Sequence, residues 1–116
     1  MSTVSNVLAI LLVVVCIASA VMDFTRPDHL MADMERLRIP AAKVPQLGAI
    51  KLVLALGLLV GLREVRIAEI AGAGLMVYFA VASLTHARVK DPLAKTAPAF
   101  VLLVVSTLFT LTAFAS

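Results

Sequence analysis

Four long apolar stretches, separated by charged segments, dominate the pattern of hydrophobic and polar positions along the chain. They cover about residues 4–22, 46–62, 67–86 and 98–114. A helix rises about 1.5 Å per residue, so segments of this length cross most or all of a hydrocarbon core about 30 Å thick. Backbone groups in lipid must bond within their own segment, so each stretch is predicted to be a helix. Pro98 is expected in the first turn of the fourth helix.

The composition agrees with a chain embedded in a membrane. Of the 116 residues, 62% are hydrophobic, and the mean hydropathy is +1.08, whereas soluble domains carry about 45–50% apolar residues. The first stretch has no Lys or Arg before Arg26, so it lacks the basic start of a signal peptide and is interpreted as a retained helix. The predicted fold class is therefore all-α: residues 1–116 form a single domain, a polytopic membrane protein with a four-transmembrane-helix bundle.

The polar segment between the first two stretches contains a shorter amphipathic pattern. Leu30, Met34 and Leu37 recur at helical spacing and share one face. Pro27 suits the first turn of such a helix, and Pro40 suits its end. The pattern predicts a helix lying at the membrane interface, and an irregular polar loop is the alternative. The charged members of this helix would be Glu35, Arg36 and Arg38.

The basic residues are distributed unevenly between the two ends of the predicted bundle. Seven lie in the loops that follow the first and third helices, and only Arg63 and Arg66 lie at the opposite end. Loops rich in Lys and Arg stay in the cytoplasm, so both termini are predicted to lie outside. The net charge of +3 is interpreted in the same way, without a nucleic acid partner. The seven residues are Arg26, Arg36, Arg38, Lys43, Arg88, Lys90 and Lys95.

Antiparallel packing would bring several polar side chains to one end of the bundle. Asp23 ends the first helix, Lys51 begins the second, and His86 ends the third. Tyr78 lies on nearly the same helix face as His86 and in the same half of the bundle. Ionisable groups at membrane depth are costly and often functional, so these four residues form a candidate cofactor-binding pocket. In the alternative, they only anchor the helix ends, with the ammonium of Lys51 extending to the headgroups.

Several chemistries are not supported by the residue types present. The single cysteine, Cys16, excludes an internal disulfide and a CxxC redox pair. His29 lies in a polar loop, so a haem held by two histidines inside the bundle is not predicted. No spacing typical of a zinc site or a nucleophile elbow is present. We therefore assign no catalytic residue, expect no metal or obligatory cofactor, and keep a bound quinone or lipid as a possibility.

Two passages carry a resemblance to a known family. They are ERLRIPAAKVPQLGAIKLVLALGLLVGL, residues 35–62, and AVASLTHARVKDPLAKTAPAFVLLV, residues 80–104. In the order of these features the chain resembles the DoxX-like family of small four-helix bacterial membrane proteins. The resemblance implies a multi-pass protein of the bacterial plasma (inner) membrane. Some members of the family are associated with thiosulfate:quinone oxidoreduction or with membrane redox-stress complexes, and related eukaryotic proteins act as assembly factors for membrane receptors.

Three functions remain open from the sequence. The leading hypothesis is a DoxX-like accessory subunit of a larger membrane complex, not catalytic by itself, whose partners are the lipid bilayer and other membrane proteins or further copies of this chain. It rests on the missing catalytic constellation and on helix faces rich in small residues. The second is a quinone- or lipid-binding subunit of a membrane redox system, and the third is a minimal transporter.

Overall fold

The structure is a computed structural model that describes residues 2–115. Within these residues the chain is helical, with no strand, and the all-α prediction is confirmed. A short 3₁₀ turn, Ala41–Lys43, precedes the third helix. The α-helices are α1 (Thr3–Thr25), α2 (Asp28–Arg36), α3 (Val44–Gly61), α4 (Val65–Arg88) and α5 (Leu93–Phe114).

In the described part of the chain, four segments are long and apolar enough to cross a membrane: α1, α3 with its preceding 3₁₀ turn, α4 and α5. Helix α3 packs between α1 and α4, and α5 packs on α4 and closes the bundle against α1. Leu12, Leu58, Leu75 and Phe109 are fully buried in the centre. Many large apolar side chains, such as Ile70 at 73% exposure, point outward. This distribution is that of a bundle whose surroundings are hydrocarbon, and the chain is a multi-pass membrane protein.

Small residues set how closely α3 and α4 approach each other. A Cβ added to Gly61 would lie 2.7 Å from the Cα of Ala68, so the two backbones are in direct contact beside their connecting turn. A Cβ on Gly72 would lie 2.5 Å from the hydroxyl of Thr110 on α5. Small residues at helix crossings permit this close packing. Gly61 and Gly72, which belong to the helix faces rich in small residues, thus contact neighbouring helices inside the bundle.

All four membrane-spanning helices extend beyond the predicted bounds, most clearly at the end of α1 and at the start of α5. Helix α1 continues to Thr25, so Asp23 lies within the helix and not at its end. Helix α5 begins at Leu93, so the expectation that Pro98 lies in its first turn is wrong. Pro98 leaves the carbonyl of Ala94 without its helical donor. Ala94 is exposed, so the freed carbonyl can bond to water or headgroups.

The amphipathic segment is helical but shorter than predicted. Helix α2 ends at Arg36, and Arg38 follows it with a positive φ of 61°. The N–H of Arg38 donates to the carbonyl of Glu35, and that of Ile39 donates to the carbonyl of Met34. These two bonds form a Schellman motif, which ends a helix with one left-handed residue. Placing Arg38 inside the helix was therefore wrong.

Candidate functional site

A buried ion pair joins α1 and α3. The Nζ of Lys51 lies 2.6 Å from Oδ2 of Asp23, and the side chains are 7% and 1% exposed. Lys51 also donates a 2.6 Å hydrogen bond to the hydroxyl of Ser19, one turn before Asp23 on α1. Of the two orientations considered for Lys51, the structure has the one that faces the interior. A charge this far from water requires a compensating partner, and Asp23 supplies it.

The local sequence explains why α1 and α3 meet at this position. Ser19 and Asp23 are four residues apart and share a helix face. Gly48, one turn before Lys51, leaves room for the acid, because a Cβ there would lie 3.0 Å from the Cβ of Asp23. The other carboxylate oxygen, Oδ1 of Asp23, is buried without a hydrogen-bond partner among the described residues, and the Oδ2 contact is an ion pair outside hydrogen-bond geometry.

Tyr78 brings α4 to this pair. The Nζ of Lys51 lies 5.7 Å from the centroid of the Tyr78 ring, which is the range of a cation–π interaction. The Tyr78 hydroxyl makes no hydrogen bond within residues 2–115, and the side chain is only partly buried. Three of the four predicted pocket residues, Asp23, Lys51 and Tyr78, are thus brought together, with Ser19 as an additional member.

The fourth predicted residue, His86, lies in a separate cluster at the loop end of α4. Its Nδ1 is 2.6 Å from Oδ2 of Asp91. Asp91 also accepts two hydrogen bonds from Arg36, from Nε at 2.6 Å and from Nη2 at 3.0 Å. Because Arg36 belongs to α2, this cluster ties α2 to the α4–α5 loop. The sequence reasoning missed Asp91 as the partner of His86, and Arg36 as the second partner of Asp91.

A second Schellman motif explains the contact between His86 and Asp91. The N–H of Lys90 donates to the carbonyl of Ala87, and the N–H of Asp91 donates to the carbonyl of His86. This motif folds the residue after the left-handed position back over the last turn of the helix. Lys90, with a φ of 55°, occupies that left-handed position. The sequence feature that could have predicted this contact is a histidine before the helix end, His86, followed five residues later by an acid, Asp91.

The Arg36–Asp91 contact perturbs both groups. Hydrogen bonds from Arg36, and secondarily from His86, lower the pKa of Asp91 to about 2. The side-chain hydrogen bond from Arg36 also lowers the pKa of Asp33, which lies 2.7 Å from Nη1. The same carboxylates raise the pKa of Arg36 above its ordinary value. Around neutral pH the cluster is therefore ionised at its carboxylates and at Arg36.

A cleft of about 600 Å³ lies between α2 with its connection to α3, α3 itself, and α4. Tyr78 and His86 both line it, so the cleft runs between the two polar clusters. Most of its wall is apolar, and no Asp or Glu contributes to it. Lining residues from the α2 side are Met34, Leu37, Arg38, Ile39 and Pro40.

The described residues place ionisable side chains in two clusters, and neither resembles a metal site. Among the described residues, no group of three or more His, Cys, Asp or Glu side chains lies together as a metal site. Cys16 is free and buried on α1. One cluster is the Lys51–Asp23 ion pair inside the bundle. The other is the network of His86, Asp91 and Arg36 at the end of the bundle.

Comparison with known proteins assigns the chain at the level of a family. The model of the DoxX-like family matches residues 7–109. This range includes α2, α3 and α4 completely and most of α1 and α5. Neither the search of curated proteins nor the search of solved structures found a match.

Proposed function

Since the chain belongs to the DoxX-like family, we propose that it is a small integral membrane accessory subunit of a larger membrane complex and is not catalytic by itself. It resides in the bacterial plasma membrane with both termini outside. Its partners are lipid and other membrane proteins or copies of itself. Support comes from the family match and from the helices of the described chain that can span a membrane.

Glu69 is the observation that favours a protein partner. It lies one turn inside α4, is only partly buried, and makes no ion pair or hydrogen bond within residues 2–115. A carboxylate at the edge of the hydrocarbon is costly without a compensating group. Ala73, one turn deeper on α4, is small and exposed, so a second helix can approach closely there. A partner helix with a basic side chain would compensate Glu69.

Purification from the native membrane in mild detergent tests this function. We expect the wild-type chain to retain a membrane protein, and Glu69→Gln to reduce its recovery by about tenfold or more if the charge pair is desolvated. The matched control is Glu64→Gln, because Glu64 is exposed in the turn before α4 and should leave recovery unchanged. A wild-type chain without any co-purifying protein, or equal recovery with Glu69→Gln, would contradict the proposal.

The cleft favours a second candidate function, a quinone- or lipid-binding subunit of a membrane redox system. Its apolar wall and its two polar residues, Tyr78 and His86, suit a ligand with a hydrocarbon portion. An accessory subunit that also holds such a ligand is compatible with the first proposal. Extraction of the purified chain with organic solvent, followed by identification of lipids and quinones, tests it; a chain that retains neither would exclude it.

A further inference from the structure

The cleft opens sideways toward the surrounding hydrocarbon. Three of its lining residues lie on the membrane-spanning helices α3 and α4 and are largely exposed: Ile50 at 46%, Val77 at 65% and Val81 at 57%. On the opposite side, Leu37 from the end of α2 is buried at 5% exposure. The cleft is thus a groove on the flank of the bundle, partly covered by α2 and its connection.

The depth of the groove corresponds to one leaflet of a bilayer. Its lining residues on α4 extend from Gly74 to His86, a length of about 18 Å at about 1.5 Å per residue. Half of a hydrocarbon core measures about 15 Å. Gly74, which has no side chain, lies at the deep end, and His86 lies at the level of the loops. A lipid chain from the adjacent leaflet fits this length.

The mouth of the groove carries uncompensated positive charge. Arg38 and Lys43 both line it and are exposed. Neither forms an ion pair within residues 2–115. Among the carboxylates near the mouth, Asp33 and Asp91 bind Arg36, and Glu35 forms no ion pair with Arg38 and does not line the groove. An anionic group would therefore be attracted to the mouth, whereas a quinone ring carries no charge to complement it.

We propose that this groove binds one anionic phospholipid of the bilayer, with its phosphate at Arg38 and Lys43 and one acyl chain along Ile50, Val77 and Val81. The proposal deepens the second candidate function and rests on it. Helix α2 forms one wall, so the tie between Arg36 and Asp91 holds the groove in shape. Arg38 is positioned by the Schellman motif, which sets the direction of its backbone at the mouth.

Native mass spectrometry of the full chain in detergent, titrated with phosphatidylglycerol or phosphatidylcholine, tests the proposal. We expect one phosphatidylglycerol per chain to be retained in preference to phosphatidylcholine. Two basic residues near the membrane surface predict a preference of about 30-fold. The double variant Arg38→Gln, Lys43→Gln should remove that preference, and the matched double variant Arg63→Gln, Arg66→Gln, at the other end of the bundle, should keep it.

A second variant examines the acyl-chain portion separately. Val81→Trp places a large ring in the groove at an exposed position, so the fold should survive, which circular dichroism can check. We expect it to reduce retention of both lipids. Equal retention of the two lipids by the wild type, unchanged selectivity in the Arg38, Lys43 double variant, or displacement of phosphatidylglycerol by a quinone analogue would overturn the proposal. Retention of a lipid or quinone without preference for phosphatidylglycerol would contradict only this proposal, whereas a chain that retains neither lipid nor quinone would also exclude the second candidate function.

Discussion

Lys51 shows how this bundle accommodates a charge among apolar helices. A lysine at membrane depth costs several kcal/mol unless it reaches water or a counter-charge. Here Asp23 neutralises it at 2.6 Å, Ser19 accepts a hydrogen bond from it, and the Tyr78 ring faces the ammonium. A buried pair of this kind adds little net stability, but removal of one member leaves the other charge exposed to hydrocarbon. We therefore expect the pair to help specify which faces of α1 and α3 meet.

Lys51→Met and Asp23→Asn should each destabilise the bundle, by about 3–5 kcal/mol, because each leaves one buried charge unpaired. The double variant should be less destabilised than the sum of the single variants, since no unpaired charge remains. Thermal unfolding in mild detergent, followed by circular dichroism, measures both. Lys90→Met is the matched control, and its effect should stay within about 0.5 kcal/mol because Lys90 is exposed. Small, additive effects of the two single variants would show that the pair does not hold the bundle.

At the scale of elements, glycine positions separate tight helix contacts from loose ones. Gly61 faces the backbone of Ala68, which cannot move without separating α3 from α4. At Gly74 the nearest atom to an added Cβ is Cδ2 of Leu54, at the flexible end of a side chain. Substitution by alanine should therefore destabilise the bundle at Gly61 but not at Gly74.

Gly61→Ala should destabilise the bundle by about 1–3 kcal/mol, because the added methyl group overpacks a backbone contact. Gly74→Ala should be neutral or stabilising by up to about 1 kcal/mol, since alanine favours the helix and Leu54 can turn aside. Thermal unfolding of the two variants under identical detergent conditions provides the measurement. Equal effects at both glycines would refute the close contact between α3 and α4.

Helix α2 is attached to the bundle by a charge network, and its attachment should depend on pH. Asp91 has a pKa of about 2, lowered by Arg36 and His86 from 3.8. A carboxylate with a lowered pKa stabilises the attached state above its ordinary pKa and loses this effect as the pH falls through the lowered value. Asp33, which binds Arg36 and lies 3.5 Å from Lys95 of α5, has a pKa shifted in the same direction.

We therefore expect α2 to remain attached from neutral pH to about pH 4 and to detach between about pH 4 and pH 2. Spin labels at the exposed positions 32 and 94, in a Cys16→Ser background, report the distance between α2 and the start of α5. Asp91→Asn should increase this distance already at neutral pH and remove most of the acid transition. A distance that stays constant down to pH 2, or an unchanged transition in Asp91→Asn, would contradict the role of the network.

At the scale of the whole molecule, the two ends of the bundle differ in charge and in structure. The bundle is 40 Å long, which exceeds a hydrocarbon core of about 30 Å and leaves the loops at the surfaces. Basic residues in left-handed conformations follow three helix ends on the α2 side: Arg26 after α1, Arg38 after α2 and Lys90 after α4. Cations at helix C-termini interact favourably with the helix dipoles. This end is the one that we expect in the cytoplasm.

Labelling of single cysteines in intact cells tests that orientation. In a Cys16→Ser background, the Glu64→Cys variant should react with a membrane-impermeant maleimide. The Lys90→Cys variant should react only after permeabilisation, because the basic loops stay inside. Both positions are exposed in the fold, so reactivity reports sidedness and not burial. The reverse pattern would invert the topology.

The sequence by itself determined the four membrane-crossing helices, the amphipathic segment and the end of the bundle at which polar residues gather. Hydrocarbon thickness sets helix length, and a backbone in lipid has few alternatives to the helix, so a local pattern is sufficient. The sequence did not determine the exact ends of the helices. A proline suggests a helix start, but Pro98 lies inside α5, because the carbonyl of Ala94 that it frees is exposed and can bond to water or headgroups.

Only the tertiary structure decided which polar groups meet. Each helix turns about 100° per residue about its axis, and its rotation is set by steric contacts such as Gly48 on Asp23 and Gly61 on Ala68. Hydropathy does not encode these contacts. Lys51 therefore faces Asp23. His86 contacts Asp91, which also binds Arg36, a residue 55 positions earlier in the chain. That pairing depends on where α2 meets the loop between α4 and α5.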